Sequence, residues 1–437
     1  MIDKFLDKIN KTLPEKWRWV LTHEGFRKYF KNTGWMFFGQ FFSLAVSFFV
    51  GAWLARYLGP GNYGVLNYSM SFAGIFSFLA SLGLDNILVR ELVKNPDKRN
   101  QLLGTSFFLK LLAGIATCFL VVISAFAWEP DNLARLLIII FSSTFILQSF
   151  GVTGLFFQAT VKARKIFVSQ IVAMVVSSLL KIFIILNGLN VVWVMATYVL
   201  DGVFSSFVTL IIYKKNGFKL SSWIFEWPLA RALLKDSWFL MLSSVAIFIY
   251  VRIDQVIIGK LLGQIDVGYY AAAVKLSEIW NFIPAIIGTS LFPAIINSKA
   301  LGREIYRRRL GLFYKLLFFI SVLIAATVFL FSEPLINLLF GSGYQPSVSV
   351  LRIYVWASIS MFVTVGINQQ LTADNNTRAL FIINLLGMAA NIILNIWLIP
   401  KIGLKGAALA TLISYALVPL SFLIFKGFFK KEPIPIL

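Results

Sequence analysis

Four ionisable residues sit inside two apolar stretches, "YVRIDQ" from Tyr250 and "AVKLSEIW" from Ala273: Arg252, Asp254, Lys275 and Glu278. A charge at the centre of a bilayer costs about 2.5–3.5 kcal/mol on insertion scales, so such groups face partners or water-filled cavities and mark functional positions. Asp254 precedes Gly263 by as many residues as Lys275 follows Asp266. At a rise of about 1.5 Å per residue, the two lie at equal depth in an antiparallel hairpin, about 13 Å from its turn. Arg252 and Glu278 match one turn deeper. Two readings follow. The four lock two helices together as ion pairs, or Arg252 and Lys275 offer positive charge to an anionic substrate while Asp254 and Glu278 tune or release them. Lys110 and Asp201 are also deep inside apolar runs. Lys110 adds to a cationic cavity or snorkels. Asp201 carries a proton or sodium ion, or it locks a helix. Lys181, Lys315 and Arg352 lie near run ends, where snorkelling is the expectation.

Other chemistry is excluded by residue type. Cys118 and His23 are the single residues of their kinds, so no intrachain disulfide, His/Cys metal site or Ser-His-Asp triad is expected, and no catalytic residue is assigned. No G-x-x-x-x-G-K-[ST] loop occurs, so ATP hydrolysis through a P-loop is not expected. Gly59, Gly61 and Gly64 do spell G-x-G-x-x-G. That fingerprint needs a strand before it and a helix after it, whereas here an apolar helix precedes. The glycines instead predict a helical turn: Gly59 as a C-cap, Pro60 as a stop and Gly64 as a point of close packing.

The elements that position these residues are membrane helices. The 437 residues are 59% hydrophobic and 14% charged, where soluble domains carry about 25% charge. A spanning helix needs about 20 apolar residues, and such runs fill the chain after residue 32. A barrel would alternate polar and apolar residues instead. Twelve spans are predicted near 33–57, 62–84, 101–127, 133–158, 166–187, 191–213, 233–261, 266–296, 309–331, 346–372, 378–398 and 404–426. The net charge of +21 is distributed by topology. Most Lys and Arg fall in the N-terminus, the C-terminus and the even-to-odd connections, while the odd-to-even connections hold only Arg56, Arg135, Lys260, Lys401 and Lys405. This positive-inside pattern puts both termini in the cytoplasm, with anionic membrane lipid rather than nucleic acid as the surface partner. Residues 1–32 read as a basic amphipathic segment on the inner membrane surface, containing His23. Pro284 and Pro293 predict a bend in the eighth span.

A shift of 204 residues lays "RYLGPGNYG" from Arg56 over "KLLGQIDVG" from Lys260, with Gly59 and Gly64 matching Gly263 and Gly268. The second copy replaces the middle glycine by Ile265, which further argues against a pyrophosphate loop. The shift predicts two parallel six-helix halves: 33–213, a linker at 214–232, and 233–427, followed by a tail at 428–437. The positions matching the second-half charges are Phe48, Val50, Ser71 and Gly74, so the charge belongs to one half only.

"GWMFFGQFF", "LARYLGPGNYGVLNYSMSF", "LGLDNILVRELVKNP" and "RIDQVIIGKLLGQIDVGYYAAAVKLSEIWNFIP" resemble bacterial polysaccharide-biosynthesis flippases of the Wzx type, in the superfamily that also holds the MATE exporters and the lipid II flippase MurJ. The resemblance runs from about Lys31 to Lys426. It implies an all-α fold of two six-helix lobes around a central cavity, alternating access, and an undecaprenyl diphosphate substrate carrying an oligosaccharide for O-antigen, capsule or exopolysaccharide synthesis at the bacterial inner membrane. A cationic cavity for the diphosphate is implied, which Arg252 and Lys275 fit, with Lys110 and Arg56 as further candidates. Polysaccharide polymerase and glycosyltransferases are the implied partners. Lipid II flippases usually carry two further helices, which this chain lacks. No cofactor is expected, and coupling to H⁺, Na⁺ or membrane potential would run through Asp254, Glu278 or Asp201. Moving two negative charges outward gains about 5 kcal/mol per 100 mV. Two alternatives share some of these features: a MATE-like drug exporter, which would want an anionic cavity, and a membrane polysaccharide polymerase, which would want a long soluble loop.

Overall fold

Runs of apolar residues with internally satisfied backbones give helices throughout the described residues, the form a single segment must take in hydrocarbon. The computed structural model describes residues 24–374 and 376–425. In chain order the main helices are α1 Glu24–Gly74, α2 Leu84–Lys94, α3 Arg99–Trp128, α4 Asn132–Ser142, α5 Val152–Ala159, α6 Ala163–Leu186, α7 Val191–Lys215 and α8 Trp227–Leu261. They continue as α9 Gln264–Glu278, α10 Phe282–Asn297, α11 Arg303–Leu330, α12 Ser332–Leu339, α13 Pro346–Tyr354, α14 Ala357–Ala373, α15 Thr377–Ile402 and α16 Leu404–Phe425. Short helical turns join several of them. Among the described residues eight stretches are long and apolar enough to cross a membrane, or nine if the pair Pro346–Tyr354 and Ala357–Leu371, bent by 40°, counts as one. The expected twelve are thus not all distinguished by length and apolarity.

Residues 1–23, with His23, and the expected tail at 428–437 lie outside the described residues. From Glu24 the chain is already helical and runs into the first span unbroken. The break comes at Gly59, whose φ of 68° and ψ of 170° differ from the left-handed cap expected there. This is an extended region essentially open to glycine alone. Pro60 then starts the next helical segment, a position that needs no N–H donor. Gly263 repeats the device with φ 109° and ψ 174° before α9. The matched turns therefore share a backbone conformation as well as residues. They also touch. A Cβ on Gly64 would overlap the Gln264 carbonyl, and one on Gly268 would overlap the Pro60 carbonyl. The two backbones pass in contact where only two glycines allow it.

The bend expected in the eighth span falls one turn earlier than its prolines. Residues Ile279–Asn281 form a 3₁₀ turn, and both Pro284 and Pro293 lie within α10. The cause is still Pro284, because a proline ring collides with the carbonyl four residues back and removes a donor.

α1, α3, α4, α6 and α7 pack as one bundle, while α11, α13, α14, α15 and α16 pack as a second. The bundles meet where α9 lies against both α1 and α13. α8 belongs to both. Its first turns put Ala230 and Leu233 into the core formed by Leu84, Phe156 and Tyr213, and its far half packs on α15. The linker before it is docked: Ile224 N–H donates to the Asn100 carbonyl at 3.3 Å, and Glu226 N–H donates to Thr105 Oγ1 at 3.0 Å.

Candidate functional site

Between the bundles lies a cavity of about 620 Å³, within the roughly 300–1,000 Å³ of small-molecule sites. α1 supplies Ser43, Ser47 and Gly51, α6 supplies Gln170, Ser177 and Lys181, and α7 supplies Tyr198, Asp201 and Ser205. From the second bundle, α9 supplies Lys275 and Glu278. Apolar helices keep these groups because each points to a shared wet volume and not to lipid.

Lys275 is half-buried and crosses to the first bundle. Its ammonium occupies the space a Cβ on Gly51 would take. Among the described residues no carboxylate lies within ion-pair distance of it. Lys181 is paired: its Nζ stands 3.4 Å from Asp201 Oδ2 and 4.3 Å from the centre of the Tyr198 ring. Glu278 Oε1 accepts from the Tyr354 hydroxyl at 3.2 Å. The cavity thus holds one compensated pair, one hydrogen-bonded carboxylate and one cation without a counterion.

The expected pairing of Asp254 with Lys275 is not formed. Asp254 is 4% exposed and turned away from the cavity into the second bundle. Its Oδ2 accepts from Tyr270 and Thr411 hydroxyls, each at 2.7 Å, and its Oδ1 accepts from Asn395 Nδ2 at 2.8 Å. Asn395 also donates to Asn391 Oδ1 at 3.0 Å, and its own Oδ1 is buried with no partner. A buried carboxylate is tolerable with this many donors. The two face different neighbours: α9 turns Lys275 towards α1, and Asp254 is held by α15 and α16.

The remaining candidates scatter. Arg252 is exposed on α8, its aliphatic part beside Gly74, and is not among the residues lining this cavity. It remains in electrostatic reach of Glu278. Lys110 is 4% exposed and ion-paired with Asp85 of α2, so it ties α2 to α3 and does not line the cavity. Arg56 lies at the Gly59 turn beside Gly341, close to where the Tyr344 hydroxyl donates to the Ala55 carbonyl at 2.7 Å. Lys181, expected to snorkel, lines the cavity instead. The amides Asn391 and Asn395 were missed. Their i, i+4 spacing on an apolar helix is the signal that finds them. Buried Glu129 was also missed; it accepts from Tyr68 and, at 2.8 Å, from Lys260. Among the described residues no group of three or more His, Cys, Asp or Glu side chains could hold a metal ion.

Known proteins share this fold. A putative O-antigen transporter of Shigella flexneri is 22% identical over 409 residues, covering 87% of this chain and 93% of its own. A probable low-salt glycan biosynthesis flippase, Agl15, of Haloferax volcanii is 27% identical over 191 residues, 43% of this chain and 40% of its own. Among solved structures, an inward-facing multidrug resistance MATE transporter of the MOP superfamily superposes with a TM-score of 0.72 at 14% identity, covering 89% of this chain and 94% of that one. The lipid II flippase MurJ in an inward closed conformation gives 0.68 at 17% identity, covering 89% and 87%. The fold is that of the MATE and MurJ transporters. Residues 240–397 match the MatE family, and residues 29–299, well over half of the chain, match the family described as polysaccharide biosynthesis protein, to which this chain belongs.

Proposed function

We propose that the chain is a flippase that carries a lipid-linked oligosaccharide, on undecaprenyl diphosphate, from the cytoplasmic to the outer leaflet of the inner membrane by alternating access. The observation that carries the reading is Lys275, an ammonium without a counterion facing a polar cavity between two bundles. A sugar and diphosphate head cannot enter hydrocarbon, because each hydroxyl and charge would lose its hydrogen bonds. A wet cavity with a free cation replaces them, while the polyprenyl tail stays in lipid. The positive-inside pattern turns the touching Gly59 and Gly263 turns outward, so the described state is closed on the outside. Arg252, beside Gly74 and near Glu278, stands where it would guide the anion past the cavity. Asp201 holds Lys181 and Tyr354 holds Glu278, which leaves Lys275 for the anion. The transporter relatives and the cavity support a carrier that performs no bond chemistry, and polymerase and glycosyltransferases would supply and consume its cargo.

Asp254 is the proposed coupling position. With the unpartnered Asn395 Oδ1, Asn391 and Thr411 it gathers carboxylate, amide and hydroxyl oxygens at one buried point, a donor set suited to a hard monovalent cation or a proton.

The test is flipping of a fluorescent polyprenyl-diphosphate oligosaccharide in proteoliposomes. Lys275→Met lowers the rate at least tenfold while the protein stays monodisperse. Wild-type rates in that variant would remove the site. The MatE match favours a second reading, a drug exporter. That reading predicts protection of cells from cationic dyes, and a cavity whose free charge is positive predicts none.

A further inference from the structure

The cavity has two chemically different walls. The second-bundle wall brings the free cation, Lys275. The first-bundle wall brings hydroxyls and an amide from three helices: Ser43 and Ser47 of α1, Gln170, Ser177 and Ser178 of α6, and Ser205 of α7. Spacings of four on α1 and of seven on α6 keep the groups of each helix on one face. The only charges on this wall, Lys181 and Asp201, cancel within their own ion pair. The wall is therefore polar and neutral.

Ser177 separates this wall from an ordinary serine-bearing helix face. Several serines buried elsewhere in this chain return their hydroxyl to a carbonyl one turn back, as Ser142 to Ile139 at 2.7 Å, Ser149 to Ile146 at 2.8 Å and Ser414 to Ala410 at 2.7 Å, while Ser69, Ser71 and Ser347 bond across to other helices and Ser106, away from the cavity, is left unpartnered. Ser177 is 1% exposed, lines the cavity, and its Oγ has no partner. A buried hydroxyl left unmet costs about 1–3 kcal/mol. An incoming group that both donates and accepts recovers that cost, and sugar hydroxyls do both.

We propose that the first-bundle wall, centred on Ser177 and Gln170, is a reading surface for the hydroxyls of uncharged sugars next to the diphosphate, while Lys275, which reaches across the cavity from the second bundle to Gly51, takes the phosphate. The proposal rests on the flippase reading and deepens it. A uronic acid or other anionic sugar at this wall would meet Asp201, already paired with Lys181, and would compete with the diphosphate for Lys275, the one cation of the cavity without a counterion, so the wall selects against it. Selectivity comes from the wall: a site built to hydrogen-bond a hydroxyl rejects an analogue that leaves its polar groups unpaired.

The experiment uses the full chain in proteoliposomes with three probes: a polyprenyl-diphosphate-linked neutral oligosaccharide, the same lipid with a uronic acid as its first sugar, and polyprenyl diphosphate without sugar. Wild type is expected to flip the neutral glycolipid at least tenfold faster than the uronic one. Ser177→Ala combined with Gln170→Leu lowers flipping of the neutral glycolipid about tenfold, equivalent to about 1.4 kcal/mol, and leaves binding of the sugar-free lipid unchanged. Ser177→Thr, which keeps the hydroxyl, retains transport, so a loss in the double variant is not a folding effect. Lys275→Met loses transport of the neutral glycolipid and binding of the sugar-free lipid. Wild-type transport in the double variant, or equal transport of the uronic lipid by wild type, overturns the reading surface and leaves the flippase standing. Failure of wild type to flip any of these lipids overturns both.

Discussion

Lys275 and Asp254, which residue counting from the two turns places at equal depth, differ in what surrounds them. Lys275 faces a cavity across Gly51, and Asp254 is enclosed by hydroxyls and an amide. Their substitutions should therefore fail differently. Gly51→Val fills the notch over which the ammonium lies and should mimic Lys275→Met, lowering flipping about tenfold, roughly 1.4 kcal/mol, with expression unaffected. Flipping assays on both variants check this, and a normal rate in Gly51→Val would detach Lys275 from the notch. Asp254→Asn should instead abolish acceleration of flipping by an imposed cation gradient while flipping driven by substrate concentration persists. The orientation of the two was not readable by counting residues from the two turns, because rotation about a helix axis is set by which neighbour that helix packs on. Here α9 packs on α1 as well as α13. Lys110 shows the same limit. Its partner Asp85 lies 25 residues away on a separate helix, and nothing in either local stretch announces the pair. Because Lys110 has lost nearly all contact with water, Asp85→Ala should leave a buried charge unpaired and destabilise the protein by about 3 kcal/mol. The thermal midpoint in detergent measures that loss.

Among the elements, the glycine turns were the most legible, because only glycine serves at φ 68° and 109° and a repeated residue pattern marks them. Gly59→Ala or Gly263→Ala should cost about 1–3 kcal/mol each, the penalty for holding a residue with a Cβ in the extended positive-φ region, again seen in the thermal midpoint. Gly64 and Gly268 act differently, since their own conformations are helical and the constraint comes from the opposite bundle. Gly64→Leu should wedge the turns apart and widen the distance between spin labels placed on the exposed residues Asn62 and Ile265. An unchanged distance distribution would show that the contact does not govern closure. The break before α10 was legible in kind, from Pro284, but not in place, because a proline disrupts the turn that precedes it. The polar wall was not legible at all. Serines recur throughout apolar helices, and only the three-dimensional convergence of α1, α6 and α7 distinguishes those that meet.

At the scale of the whole molecule, the charge of the cargo sets the energetics. If two negative charges travel outward, an inside-negative potential contributes about 5 kcal/mol per 100 mV. A potassium diffusion potential across proteoliposomes should therefore accelerate flipping, and reversing its sign should slow it. Insensitivity to potential would mean that the diphosphate moves neutralised by bound cations. One further consequence lies in α8. Arg90 of α2 grips its near end through Asp236, at 2.6 Å, while Asn395 and Thr411 hold Asp254 farther along the same helix. The rise of eighteen positions from Asp236 to Asp254 makes a rod about 27 Å long, rooted in one half of the protein and loaded in the other. An ion at Asp254, as proposed, would load a single continuous helix whose near end is held by the Arg90–Asp236 ion pair, so that one half would sense what the other has bound without a relay of side chains.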